Sequence, residues 1–172
     1  MTVQANFTRQ DPFASDSPDI RDCLDYWTRL RGRRFAPPWR EFDWNEIRAE
    51  LIPHFGVVDV CGDPLDFVYR FWGSAHVRAH NLEMTGKSVS AMRPKAEADA
   101  VFDQYRLTFE AREPLLFENR IHAGRYKVEM LETSLRLPFS DDGKRVHHLV
   151  AFSDIRLDME RMVEVFSDAG TA

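Results

Sequence analysis

LLFENRIHAGRYKVEMLETSLRLPFSDDGKRVHHLVAFSDI, residues 115–155, decides the fold. It holds three strand-like runs: LLFENRIH (115–122), YKVEMLETSLRLPF (126–139) and RVHHLVAFSDI (145–155). Gly124 sits in the first gap. Asp141, Asp142 and Gly143 fill the second, a hairpin signal because Asp and Gly accept the backbone angles of a tight reversal. In the middle run the apolar positions slip from Val128 and Met130 to Leu131, Leu135 and Leu137. Such a slip predicts a bulge or a strand buried on both faces.

Upstream, residues 95–112 read as a helix ending at Pro114, with Val101, Phe102, Tyr105 and Phe109 on one side. Before it, FGVVDV (55–60) and DFVYRFWG (66–73) flank the turn C-G-D-P and form a hairpin. Strict alternation points Phe67, Tyr69 and Phe71 one way and Val68, Arg70 and Trp72 the other. Ser74 then reads as the N-cap of a short helix, AHVRAHN. Asp43 opens a capping box with Glu46, and Ile47 and Leu51 continue a short helix that Pro53 ends. Pro37 and Pro38 force an extended linker. Asp19 caps a further helix through Arg31, striped by Ile20, Leu24, Trp27 and Leu30 and stopped at Gly32. Residues 1–18 read as a flexible leader, 19–156 as one domain, and 157–172 as a C-terminal helix or tail. The expected class is α+β: a five-stranded antiparallel sheet with helices on one face and an N-terminal helical extension.

Composition agrees with one globular unit. The chain has 172 residues, 44% hydrophobic and 30% charged, enough for a core and a wet surface. Twenty-three basic against 28 acidic side chains give a net charge of −5, a poor starting point for nucleic-acid binding. Arg29, Arg31, Arg33, Arg34 and Arg40 cluster locally and read as a solvated helix end or a partner surface. Cys23 and Cys61 make neither a disulfide framework nor a zinc quartet. No basic, apolar leader and no run of about 20 apolar residues is visible, so a cytoplasmic protein without membrane contact is expected.

Several motifs carry a resemblance. They are Tyr26-Trp27, Ile52-Pro53-His54, Tyr69-Arg70-Phe71-Trp72-Gly73-Ser74, Met84-Thr85-Gly86-Lys87 and Leu137-Pro138-Phe139, the last followed by Asp141, Asp142 and Gly143. In this order, over roughly residues 20–155, the chain resembles a bacterial subfamily of PAS domains. Ser74 stands where that pattern has Thr, and Met84 where it has Leu. The resemblance implies a five-stranded antiparallel sheet, helices over one face and a cavity between them. It also implies a sensory, signal-transducing module that binds a small ligand or a partner protein, commonly as a homodimer and without catalysis of its own. No output domain is attached within these residues.

The expected ligand-pocket residues are His54, Phe67, Tyr69, Phe71, Phe102, Tyr105, Phe109, Met130 and Phe152, an apolar set with a few polar groups. Ile20, Leu24, Trp27 and Leu30 must be buried either on the chain's own sheet or against a second copy. His76 and His80 lie four apart on the short helix, so one face presents both. A metal would need a further ligand from His54, His122, His147 or His148, and no H-E-x-x-H or cysteine pair accompanies them. The expectation is therefore solvent-facing or capping histidines and no metal; no cofactor is named, and haem has no matching motif. Asn81 to Ser88 imitates a phosphate loop but lacks its first glycine and follows a helix, so turn chemistry explains it better. Glu129 and Glu132 fall in opposite strand phase and offer no acid–base pair. Two other classes remain beside the regulatory module: a small α+β cavity enzyme, and a ligand-free protein–protein adaptor with a filled core.

Overall fold

The computed structural model describes residues 6–123 and 128–157. Among them six strands form one antiparallel sheet: β1 (Asn6–Gln10), β2 (Phe55–Cys61), β3 (Asp66–Trp72), β4 (Leu115–Ala123), β5 (Val128–Phe139) and β6 (His148–Leu157). Their order across the sheet is β1-β4-β5-β6-β2-β3. Three α-helices accompany them: α1 (Pro18–Arg31), α2 (Ser74–His80) and α3 (Lys95–Ala111). The class is α+β, and no helix among the described residues is long and apolar enough to cross a membrane.

The slip in β5 has its cause in burial on both faces. The register against β4 runs unbroken from Leu115↔Arg136 to Ala123↔Val128, so no bulge intervenes. Leu135, Leu137 and Phe139 face a core shared with Ile20, Leu24 and Trp27 of α1. Glu132, Ser134 and Arg136, also buried, alternate with them and face the other way. On that second face Leu149 and Ala151 of β6 pack with Phe67, Tyr69 and Tyr105. A sheet apolar on both sides must be covered on both sides. The helices therefore lie on two faces, not one as the sequence suggested: α1 on the first, α2 and α3 on the second.

The sheet also has one strand more than expected. Residues 6–10, read as part of a flexible leader, form β1 along the edge of β4, from Asn6↔Arg120 to Gln10↔Leu116. The segment is too short and polar to announce itself. Its one large apolar side chain, Phe7, meets Phe117 edge-on at 5.4 Å. Residues 158–172, expected as a helix or tail, lie outside the described residues.

Helix α1 begins two residues earlier than expected, with Ser17 rather than Asp19 as its cap; the Ser17 hydroxyl accepts from the Ile20 amide at 3.4 Å. Gly32 ends it at φ +58°, where a side chain would be strained. Ile20, Leu24 and Trp27 are at most 2% exposed and Leu30 is half-buried, so the stripe is spent on the chain's own sheet. The Trp27 indole donates to the Pro138 carbonyl at 2.8 Å, tying the helix to β5.

The capping box at Asp43 makes only a 3-10 turn, Trp44–Glu46, between two others at Trp39–Glu41 and Ala49–His54. Aromatic packing overrides helix propensity here. Trp39 stacks on Phe42 at 5.0 Å, Phe42 meets Trp44 at 4.8 Å, and the Tyr26 hydroxyl holds the Asp43 amide at 2.8 Å.

In β3 the alternation breaks. Val57 pairs with Phe71 but Val58 pairs with Tyr69, leaving Arg70 as the extra residue of a bulge. Phe71 is thereby turned to the α1 face, where it meets Trp44 at 5.1 Å, while Tyr69 and Trp72 share the other face at 4.6 Å. Arg70, pushed outward, pairs with Asp59 at 2.9 Å.

Candidate functional site

The face beneath α2 and α3 carries a buried polar cluster inside an otherwise apolar layer. The sheet contributes Asn119, Glu132, Ser134, Arg136 and Ser153; α3 contributes Glu97, Gln104 and Thr108; α2 contributes His76. The His80 side chain joins them at 5% exposure. Local sequence puts each one there. His76 and His80 are one helical turn apart, and the sheet residues occupy alternate positions of their strands.

The parts are linked by hydrogen bonds. Arg136 Nη2 donates to Gln104 Oε1 at 2.9 Å, Gln104 Nε2 donates to Asn119 Oδ1 at 2.6 Å, and Asn119 Nδ2 reaches Glu132 Oε2 at 3.5 Å. The Ser153 hydroxyl also serves Glu132. The Arg136 guanidinium lies over the Tyr105 ring, 4.2 Å from its centroid. Its Nε has no hydrogen-bond partner among the described residues.

The two imidazoles are held firmly. His76 Nε2 meets the His54 carbonyl oxygen at 3.0 Å. A carbonyl only accepts, so Nε2 carries the hydrogen and Nδ1 carries the lone pair. That Nδ1 is buried and has no hydrogen-bond partner among the described residues. The ring stacks on Trp72 at 4.5 Å, and the Trp72 indole is itself fixed to the Leu82 carbonyl at 2.8 Å. His80 Nδ1 lies in ion-pair contact with Glu97 Oε1, but the two are not aligned for a hydrogen bond, and both atoms are without one among the described residues.

The charges follow from these surroundings. Burial pushes the His76 imidazolium down to about 4, so the ring is neutral near pH 7. Burial pulls His80 the same way, but Glu97 and Glu132 outweigh it and the net direction is upward. Burial pushes Glu132 up, yet His80, His76, Ser153 and Arg136 together hold it below the usual carboxylate range. A neutral imidazole, a carboxylate and a guanidinium thus share one enclosed space.

That space is small. A cavity of about 10 Å³ is lined by Tyr69, Trp72, His76, His80, Glu132 and Arg136, with Tyr105 and Met92 alongside. It has room for one atom-sized occupant. One ring nitrogen of each histidine and one Glu132 oxygen all lie within 4.8 Å of one another.

The expected pocket residues divide between the two faces. Phe67, Tyr69 and Tyr105 stand together, with Phe102 and Phe109 at the rim of the same core. Phe152 belongs to the α1 side, as does Phe71 because of the bulge. His54 contributes mainly backbone; its ring Nδ1 meets the Ser153 carbonyl oxygen at 3.0 Å. The Met130 side chain lies outside the described residues. The site histidines, expected to face solvent or cap, are instead interior, because Trp72 and Glu97 close over them. The third group near them is Glu132, not another histidine. Glu132, Arg136, Gln104, Asn119 and Glu97 were missed by sequence reasoning. Polar residues at alternate positions of a strand apolar on its other face were the available signal.

Gly73 sets the position of α2. A Cβ there would lie 2.1 Å from the Pro53 oxygen and 2.7 Å from that of Phe55, both backbone atoms that cannot step aside. Gly73→Ala is expected to cost about 1–3 kcal/mol or more by overpacking. It would also move His76 off the His54 carbonyl. Urea unfolding measures the cost, and an unchanged midpoint would show that this close approach relaxes freely.

An open groove of about 440 Å³ lies elsewhere, lined by Val60, Leu65 and Phe109 with Arg112, Lys144 and Arg145. No protein-family model matches the chain, and no curated protein matches it.

Proposed function

We propose that this chain is a regulatory module of PAS type that senses an occupant of the buried polar cavity and passes the change to a partner protein or a second copy. The observation that carries this reading is the cluster itself: ionisable groups sealed between two helices and the sheet, with unsatisfied polar atoms facing a cavity. Buried polar groups without partners cost stability, so a bound species that satisfies them is stabilised in return. Apart from β1, the sheet has five antiparallel strands, and α2 and α3 are inserted between β3 and β4, which supports the resemblance. Coupling needs an occupant that prefers one placement of α2 and α3 over another. With Ile20, Leu24 and Trp27 buried internally, contact between copies falls to some other surface than that stripe.

A second reading, a small cavity enzyme, draws on neutral His76 near ionised Glu132. The cavity volume favours the regulatory reading, because an organic substrate would have to part the helices from the sheet.

Native mass spectrometry of freshly purified protein, followed by denaturing extraction, tests the proposal. The expected result is a folded chain carrying additional mass that denaturation releases. Bare polypeptide mass in every folded species would overturn it in favour of an adaptor with a filled core.

A further inference from the structure

Resting on that reading, we infer that the occupant is a divalent transition-metal ion of the zinc type, bound by His76, His80 and Glu132. Three independent observations converge on it. The donor atoms are already gathered: one nitrogen from each ring and one carboxylate oxygen lie within 4.8 Å of one another. Bonds to such donors are about 2.0–2.2 Å long, so two donors on one ion stand at most about 4.4 Å apart, and the cluster needs only a small inward side-chain shift to close on a single ion.

The second observation is how the ligands are held. Metal-bound histidines hold their other ring nitrogen against a carbonyl or carboxylate, which fixes tautomer and orientation. Both kinds of support are present. His76 Nε2 donates to the His54 carbonyl at 3.0 Å, leaving Nδ1 as a buried lone pair without a hydrogen-bond partner among the described residues. His80 Nδ1 lies against the Glu97 carboxylate, although neither atom makes a well-aligned hydrogen bond among the described residues, and one nitrogen of the ring is the second donor. Glu132 is likewise supported, by Asn119 at 3.5 Å and by Ser153.

The third is size. The cavity of about 10 Å³ admits an ion and excludes an organic ligand.

The donor chemistry narrows the ion. Two imidazoles and one carboxylate suit zinc, iron(II), cobalt(II) or nickel(II). Calcium and magnesium prefer all-oxygen sets, and copper(I) prefers sulfur. Neither cysteine lines the cavity: Cys23 is buried in the α1 core, and Cys61 lines the open groove. The surrounding charges also accommodate a cation. Two carboxylates, Glu97 and Glu132, flank the site, the Arg136 guanidinium is drawn aside by Tyr105 and Gln104, and an ion on the His80 ring would take the place of its proton.

The experiment uses the full chain stripped with a chelator, refilled with cobalt(II) and followed by its visible d–d bands. Zinc binding is then measured by equilibrium dialysis and competition. Expected are about one ion per chain, a low-symmetry cobalt spectrum, and an affinity lowered more than about 100-fold in His76→Ala and in Glu132→Gln. Glu97→Gln, which removes only the support of His80, should weaken binding by about 10–100-fold. Circular dichroism checks each variant, and His80→Gln tests the same triad if another variant fails to fold.

Folded wild-type protein that takes up no metal at millimolar concentration would overturn the inference. So would affinity unchanged in these variants, which would place the ion on the outer group of His147 and His148 with Asp59, Asp141 and Asp142. An organic mass released without metal would overturn the metal and retain the regulatory module. Metal binding that leaves amide exchange in α2 and α3 and the hydrodynamic size unchanged would retain the metal and overturn the regulatory reading.

Discussion

Replacing Trp27 with alanine is expected to lower unfolding free energy by about 4–5 kcal/mol. The indole is 1% exposed and sits between α1 and the sheet among Leu24, Leu137 and Phe139. Truncating a buried aromatic of this size costs roughly 3–5 kcal/mol through lost transfer energy and the cavity left behind. Its Nε1 bond to Pro138 adds about 1 kcal/mol, because the carbonyl loses its partner in the interior. Domains of this size are stable by roughly 5–15 kcal/mol, so the variant would stand close to its unfolding threshold. Trp27→Phe keeps most of the ring, loses the donor, and should cost about 1–2 kcal/mol. Chemical denaturation followed by far-ultraviolet circular dichroism reads both. A loss under about 1 kcal/mol for the alanine variant would mean that α1 is not an integral part of the core.

Arg136→Ala should be nearly as damaging, for an electrostatic reason. The guanidinium is 4% exposed, and its removal strands Gln104 Oε1 and leaves Glu132 with less positive charge nearby. Breaking one side of a buried charge arrangement typically costs 3–5 kcal/mol, or about that here. The loss should not add to that of Glu132→Gln, since each substitution removes part of the penalty created by the other. A double-mutant cycle measures this. Strict additivity would show that Arg136 and Glu132 are independent despite the chain of amides between them.

The same residues explain what the sequence could and could not tell. Every strand from β2 to β6 and the helices α1, α2 and α3 were legible, because their apolar residues recur with the period of the element and turn residues bracket them. The slip in β5 left a bulge or a strand covered on both faces as alternatives, and the unbroken register leaves the second. The second cover was not followed to its consequence, which is helices on both sides of the sheet. The turns between residues 39 and 54 escaped because aromatic packing fixed them against local capping chemistry. One inserted residue, Arg70, reversed Phe71, since alternation has no memory across a bulge.

The site was half legible. His76 and His80 were paired by their spacing, but their burial depends on Trp72, Glu97 and Glu132, brought in from three other elements. Only long-range contacts create that neighbourhood. A charged residue in a strand reads as solvent-facing until the partner helix is known, which is why Glu132 and Arg136 were passed over.

Strand β1 bears on how the molecule behaves in company. It is five residues long and forms one rim of the sheet, with polar Thr8, Arg9 and Gln10 along it. Short, charged rims discourage sheets of neighbouring molecules from joining edge to edge. A chain trimmed at its start to residue 11 would keep α1 and the cluster yet bare the flank of β4 from Leu116 to Arg120. Its unpaired amides and carbonyls would recruit the next available strand, and aggregation would follow from the loss of a segment that touches nothing in the cavity.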